Sequence, residues 1–304
     1  MKTRFLHLNH FLLASMLLIL FSCKETAPEP VYGEATQELI AMVDADPELK
    51  AMLETSIQKA KQANPDPNTN PAQTLEEYYA FVSWAETSMP WALLKKEEYP
   101  EIFDNIFQSL CTFYFIVDQP LPELEGKGLV NNSLQYAEPF ASWLVTFSNS
   151  WGSFLDTEAS WNEEYLQMAM NDPNFGLQNG WYEDPSNWTT FNDFFTRYLK
   201  SPDQRPITSP EVDSIVVAFA DSEPMGTWAI DGLSNLVVTE GVPVKSASLR
   251  SVSALVGEGS EYREAFAGGT LTHSFLNVND YHRYHFPMGG TVKEIRIIPG
   301  INPT

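Results

Sequence analysis

The sequence predicts an α+β chain in which a helical amino-terminal domain precedes a β-rich one, and three observations carry that expectation. Between Thr36 and Lys61 the apolar residues Leu39, Ile40, Val43, Leu49, Met52, Leu53 and Ile57 recur at threes and fours, the period of a helix with one buried face. Thr74 followed by Glu77, just ahead of the aromatic-rich run YYAFVSWAETSMPWALL, has the spacing of a capping box. Near residue 186 the texture shifts to short β-branched runs divided by glycine, proline and asparagine.

The first 23 residues stand apart from this pattern. Lys2 and Arg4 precede FLLASMLLILFSC, an apolar run too short to cross a bilayer as a helix, which is the form of an export signal. The run closes on Leu20-Phe21-Ser22-Cys23, which resembles a bacterial lipobox and implies lipidation at Cys23. Residues 1–23 are thus expected to be a lipoprotein-type signal, and the polar, proline-containing residues 24–35 a tether. The expected location is an exported, membrane-anchored lipoprotein of the bacterial periplasm or outer membrane. With Cys23 lipidated, Cys111 has no partner, so no disulfide is expected. Within FQSLCTFYFIV, Cys111 reads as a small buried apolar residue.

Residues 36–186 are predicted to form the helical extension domain. Asp46-Pro47 marks a break or a new first turn, NPDPNTNP ends the second helix, and further helical segments are expected at 100–117, 134–149 and 161–170. Their tryptophan and phenylalanine stripes at helical spacing are the signature of core packing. Residues 187–304 are predicted to be β-rich, with strands in SIVVAFA (214–220), TWAI, LVVTEGVPVKSA and TVKEIRIIPG. A chain of 304 residues that is 43% hydrophobic has material for one large domain or two moderate ones. Its formal charge of −22 repels polyphosphate, so nucleic acid is excluded as a partner. No P-loop, dinucleotide fingerprint, CxxC pair or internal repeat occurs.

The chain has five histidines, and DYHRYH at 280–285 holds two of them. HxxH on a helix suits a metal, but Pro287, Gly289 and Gly290 argue against a helix there. No cysteine or third histidine lies close in sequence, and His273 falls in an expected strand, so no metal is expected.

Two long stretches resemble a known family. NWTTFNDFFTRYLKSPDQRPI (187–207) is similar to the F-x-x-F-F-x-R…RP segment of phosphatidylserine decarboxylases. FLNVNDYHRYHFPMGGTV (275–292) resembles their F-L-x-x-x-D-Y-H-R-x-H-x-P-x-x-G-x-V signature. Between them VVAFADSEP lies where the family has P-A-D-G, with Ser222 in place of the glycine, and VPVKSASLRSVSALVGEG resembles a further family stretch. The helical part, through AMVDADPELKAML and SNSWGSFLD, is similar to the extension of the soluble branch that includes fungal tryptophan decarboxylases. The FLNV form of the signature follows that branch too.

The resemblance implies a proenzyme that cuts itself at a Gly-Ser bond and turns the serine into a pyruvoyl group, whose carbonyl captures the substrate amine and draws off electrons as carbon dioxide leaves. It implies His285 as the base for self-cleavage, Asp221 as the carboxylate that orients it, and His282 as the group handling the proton at the decarboxylated carbon. Arg283 is expected to fix the loop or pair with an acid, and Asp280 to be a turn residue. The substrate implied is phosphatidylserine, giving phosphatidylethanolamine; an aromatic amino acid is the alternative, and a non-catalytic lipid-anchored binding domain a third reading. The family's Gly-Ser lies downstream of the histidine motif, beyond Thr304, whereas Gly152-Ser153 and Gly259-Ser260 precede the motif and read as structural loops. The 304 residues alone, an incomplete decarboxylase domain by this resemblance, are therefore expected to be inactive.

Overall fold

In the computed structural model, residues 30–93, 102–126, 132–238, 242–244, 247–249, 251–257 and 259–296 are described. Cys23, with the rest of the expected signal, lies outside them. Tyr32–Thr304 form one compact unit.

Helices α1 (Glu34–Ala45) and α2 (Pro47–Ala63) divide at Asp46, whose side chain accepts from the Glu48 and Leu49 amides with Pro47 in the first turn. Proline costs nothing there, because a first-turn amide has no partner within the helix. Helix α3 (Leu75–Ala85) starts at Thr74, which caps the Glu77 amide at 3.2 Å. The Glu77 carboxylate reaches back to the Gln73 amide, one residue further than a capping box requires. Helices α4 (Ile102–Phe115), α5 (Phe140–Leu155), α6 (Glu163–Asn171) and the single turn α7 (Phe191–Phe195) follow.

The apolar stripes of α1, α2, α3 and α5 converge on one core around Leu39, Leu53, Tyr78, Phe140 and Trp143. A second core is built from Trp91, Trp161, Phe175, Trp188, Phe191 and Phe194, and Val278 packs on it from far along the chain. Through this second core the helical part supports the histidine motif.

Strand β1 (Glu223–Ala229) pairs antiparallel with β4 (Thr270–Phe275), placing Gly226 opposite His273, and β2 (Val242–Val244) pairs with β3 (Ala247–Leu249). Helix α8 (Val252–Val256) completes the elements, and Val252 joins Ile230 and Leu236 in a small third core. The α+β expectation holds, with less sheet than the β-branched runs promise. SIVVAFA is not a strand: Val216 is exposed, and the stretch makes two bonds to the histidine motif, Val217 N to Pro287 O and His285 N to Phe219 O. Residues 291–296 are likewise unassigned to any strand.

Two further expectations are corrected. Cys111 is exposed, because it lines an open cavity among apolar neighbours instead of packing into the core. Gly152-Ser153 lies inside α5, with the serine hydroxyl bonded to Asn149 O, and not in a loop. Among the described residues no helix is long and apolar enough to cross a membrane.

Candidate active site

Helix α7 is locked at its start by a reciprocal pair: Thr190 Oγ1 accepts the Asp193 amide, and Asp193 Oδ2 accepts the Thr190 amide, each at 3.0 Å. Its aromatic residues divide between two duties. Phe191 and Phe194 enter the second core, while Phe195 turns to the histidine motif and stacks on His282 with ring centroids 3.9 Å apart.

The next two residues continue the grip. Thr196 O accepts Arg283 Nε at 2.6 Å, and the Arg283 guanidinium lies over the Tyr198 ring. Arg197 is fully buried; its Nη2 donates to Asn279 O at 2.9 Å and to Asp280 O at 3.1 Å. The rings of Tyr182, Phe194 and Phe175 surround that guanidinium. A buried charge needs several donors satisfied at once. Arg197 finds backbone carbonyls and π faces, and Nε stays without a partner. Three consecutive residues at the end of α7, Phe195, Thr196 and Arg197, thus clamp the stretch from Asn279 to Arg283.

The turn itself closes on Asp280, whose carboxylate accepts the Asn277 amide at 2.8 Å, while its own amide bonds to Asn277 O. His282 Nε2 lies 2.8 Å from that same carbonyl. A carbonyl only accepts, so Nε2 carries the proton and Nδ1 keeps its lone pair. Burial, then repulsion from Arg197, holds His282 below its ordinary value against the opposing pull of Asn277 O and Asp280. The imidazole is therefore neutral at pH 7, a base whose free nitrogen is Nδ1.

His285 is exposed, with its ring 5.6 Å from the buried Tyr281 ring and its amide fixed on Phe219 O at 2.7 Å. That bond sets the 217–221 stretch antiparallel to the motif, so Asp221 and His285 belong to adjoining backbone runs. Their side chains are not hydrogen-bonded. Asp221 is taken by Arg205, with Nε 3.0 Å from both carboxylate oxygens and Nη2 2.5 Å from Oδ2. A guanidinium fork matches a carboxylate better than one imidazole nitrogen does, and Arg205 is itself seated on the Trp181 ring. The structure thus gathers His282, His285 and Asp221 on one pair of segments without forming the expected orienting bond.

Neither of the two described Gly-Ser pairs serves these histidines. Ser260 Oγ bonds to Glu294 and to the Tyr262 amide, and Ser153 faces its own helix. Among the described residues no three His, Cys, Asp or Glu side chains gather into a set that would hold a metal. Phe195, Arg197 and Arg205 carry much of the geometry, and sequence reasoning quoted them only as parts of a motif. Their roles become visible once the two motifs are seen in contact.

Comparison with known proteins finds relatives of this region. Residues 191–302 match the model of the family described as phosphatidylserine decarboxylase. A Saccharophagus degradans protein named phosphatidylserine decarboxylase proenzyme is 31% identical over 164 residues, covering 52% of this chain and 53% of its own. Its Bordetella pertussis namesake is 33% identical over 138 residues, covering 43% and 42%. A rice protein, phosphatidylserine decarboxylase proenzyme 2, is 34% identical over 126 residues, covering 40% of this chain and 19% of its own. The chain spans about half the length of the bacterial relatives it matches. Residues 191–302, which hold both interlocked motifs, are thus similar to the phosphatidylserine decarboxylase family.

Proposed function

We propose that this chain supplies the base-bearing part of a pyruvoyl-dependent phosphatidylserine decarboxylase made as a self-processing proenzyme. The reaction breaks the bond between the serine Cα and its carboxylate, releases carbon dioxide and returns a proton to Cα, leaving an ethanolamine headgroup. A pyruvoyl group, when present, supplies the electron-withdrawing carbonyl for that step. The observation that carries the reading is the clamp: Phe195, Thr196 and Arg197 of one family motif hold His282, Arg283 and the Asn279-Asp280 carbonyls of the other.

The histidines fit different tasks. His282, neutral and tethered through Nε2, accepts a proton at Nδ1 and returns it to the substrate carbon. His285, exposed on a fixed backbone, is open to a serine hydroxyl brought to it and serves as the base for cleavage. Asp221, held by Arg205 in the arrangement seen, becomes the orienting partner of His285 once that pair opens.

The amino-terminal sequence supports an exported lipoprotein anchored through Cys23, which would hold the chain at its phospholipid substrate.

The test uses the chain followed by the family's Gly-Ser segment. It is expected to split on a denaturing gel and to release labelled carbon dioxide from carboxyl-labelled phosphatidylserine. His285→Ala is expected to stay uncut, and His282→Ala to be cut but slow in turnover. Cleavage without any carbon dioxide from phosphatidylserine would sink the substrate reading, and normal cleavage of His285→Ala would sink the base assignment.

A further inference from the structure

A cavity of about 650 Å³ opens between the helical extension and the histidine motif. Helix α3 contributes Phe81 and Trp84, α4 Phe107 and Phe113, and α5 Phe147 and Trp151, while Phe275, Asn277 and Val278 line it from the segment that leads into the histidine motif. The rings make one continuous surface: Phe81 stacks on Trp84, Phe113 stacks on Phe147 with centroids 4.8 Å apart, and Phe81 meets Phe113 at 5.7 Å.

Three of these aromatic residues are unusually exposed for their type, Trp84 at 42%, Phe107 at 52% and Phe275 at 45%. Large apolar side chains grouped around a concave opening, rather than scattered singly, mark a binding surface. Among the described residues lining the cavity none is charged. Its one phenol, Tyr114, is pushed up to about 12 by burial first and then by Tyr136, so it too stays neutral. The described lining therefore offers no charge to pair with a carboxylate, an ammonium or a phosphate.

The site's placement defines its use. The Asn277 whose carbonyl holds His282 is also a wall residue, so the cavity and the candidate catalytic histidine share one turn. Most of the wall lies between Phe81 and Trp151, outside the residues 191–302 that match the family. The space is far larger than a single aromatic side chain and lies at the size of pockets that bury most of a ligand of several hundred Å³. A long flexible apolar chain fills such a volume while its polar end stays at the open side.

We propose that this cavity, built by the extension, is an acyl-chain site that seats one hydrocarbon tail of an amphiphilic substrate and delivers its headgroup to the turn at Asn277. The inference rests on the proposed lipid substrate, but binding is read without catalysis.

Cys111 lines the cavity and is exposed, so its alkylation reports occupancy once the other cysteine is removed by Cys23→Ala. At about tenfold excess over its dissociation constant, monomeric 1-palmitoyl lysophosphatidylserine is expected to slow alkylation by N-ethylmaleimide about tenfold, because only the empty fraction reacts. Palmitoyl lysophosphatidylcholine is expected to protect as well, since the tail carries recognition. A tail two carbons shorter is expected to need roughly fifteenfold more ligand, as each methylene is worth about fourfold in affinity. Phe107→Glu, a change at an exposed position, is expected to weaken protection by at least about tenfold by placing a charge against the tail. Protection by tryptophan but by neither lysolipid would assign the cavity to an aromatic amine and overturn the proposal, as would no protection by any of them. Protection by the lysolipids, in a chain that carries the Gly-Ser segment and cuts itself yet releases no carbon dioxide from phosphatidylserine, would refute the substrate reading and leave the acyl site standing.

Discussion

The Phe195 ring lies against the His282 imidazole with centroids 3.9 Å apart, so the aromatic turn of one motif covers the base of the other. Stacking of this kind removes water from one face of the imidazole, and burial is the leading cause of the depressed His282 value. Phe195→Ala is therefore expected to move the His282 titration upward, toward the ordinary histidine value. An imidazole proton resonance followed against pH reads this directly; an unchanged midpoint would show that the ring does not control solvation there.

Arg197 is expected to be the costlier residue of the clamp. Arg197→Met removes the donors to Asn279 O and Asp280 O together with the Phe194 O contact, leaving buried carbonyls unpaired at about 1–3 kcal/mol. Arg197→Lys keeps the charge but cannot span both carbonyls, so it is expected to recover only part of the loss. Urea unfolding of the two variants checks this order, and equal stability to the parent would overturn the clamp.

Acid is expected to weaken the fold first through His282. Its folded value lies below 6.5, so between the two values the unfolded chain binds the proton and the folded chain does not. The stability from the neutral imidazole is thus complete above about pH 6.5 and declines as pH falls through the window beneath it. Asp280, raised chiefly by burial, titrates in both proteins of a comparison with His282→Gln, and the nearby Arg197 stays charged in both. The difference in unfolding free energy between parent and variant is expected to shrink on acidification, and a difference that grew instead would reverse the sign.

Much of the helical half was legible because its signals are local. Asp46 before Pro47, and Thr74 before Glu77, satisfy amides within their own first turns, and no distant contact has to be known. The partners of Asp221 were not legible in that way. The fork that holds it belongs to Arg205, sixteen residues back, and whether that fork or an imidazole reaches the carboxylate depends on how Trp181 seats the guanidinium. The run SIVVAFA shows a related limit: β-branched composition states a preference, but a strand requires a neighbour bonded along its length, and here two bonds form. Cys111 looked buried because its neighbours are apolar, yet those neighbours line an open cavity.

Lipidation at Cys23 is proposed from the sequence alone and is tested separately. Labelled palmitate is expected to enter the protein in a bacterial host and to be absent from Cys23→Ala. Label retained by the variant would place the lipid elsewhere or remove it from the account.

The start of α1 offers a stability test far from the histidines. Gly33, its N-cap, has no side chain to satisfy the first amides, and the buried Glu86 at the end of α3 performs that task from 50 residues away. Its carboxylate accepts the Ala35 amide at 3.1 Å, the Thr36 amide at 2.9 Å, the Thr36 hydroxyl at 2.6 Å and the Ser150 hydroxyl at 2.9 Å. A carboxylate at a helix N-terminus also meets the positive end of the helix dipole, so one side chain ties α1, α3 and α5 together. Glu86→Ala is expected to cost about 2–4 kcal/mol, since buried donors to a charged group lose their partner. Glu86→Gln keeps the shape but turns a donor toward donors, and is expected to fall between the two. Gly33→Ala approaches the same contact from the other side: a Cβ there would lie 2.5 Å from Glu86 Oε1, so the carboxylate must move off the amides it caps. The Gly33→Ala and Glu86→Ala losses are therefore expected to be less than additive in the double variant, because both disable one cap. Thermal unfolding of the four proteins decides it, and full additivity would mean that the glycine and the glutamate act on separate parts of the fold.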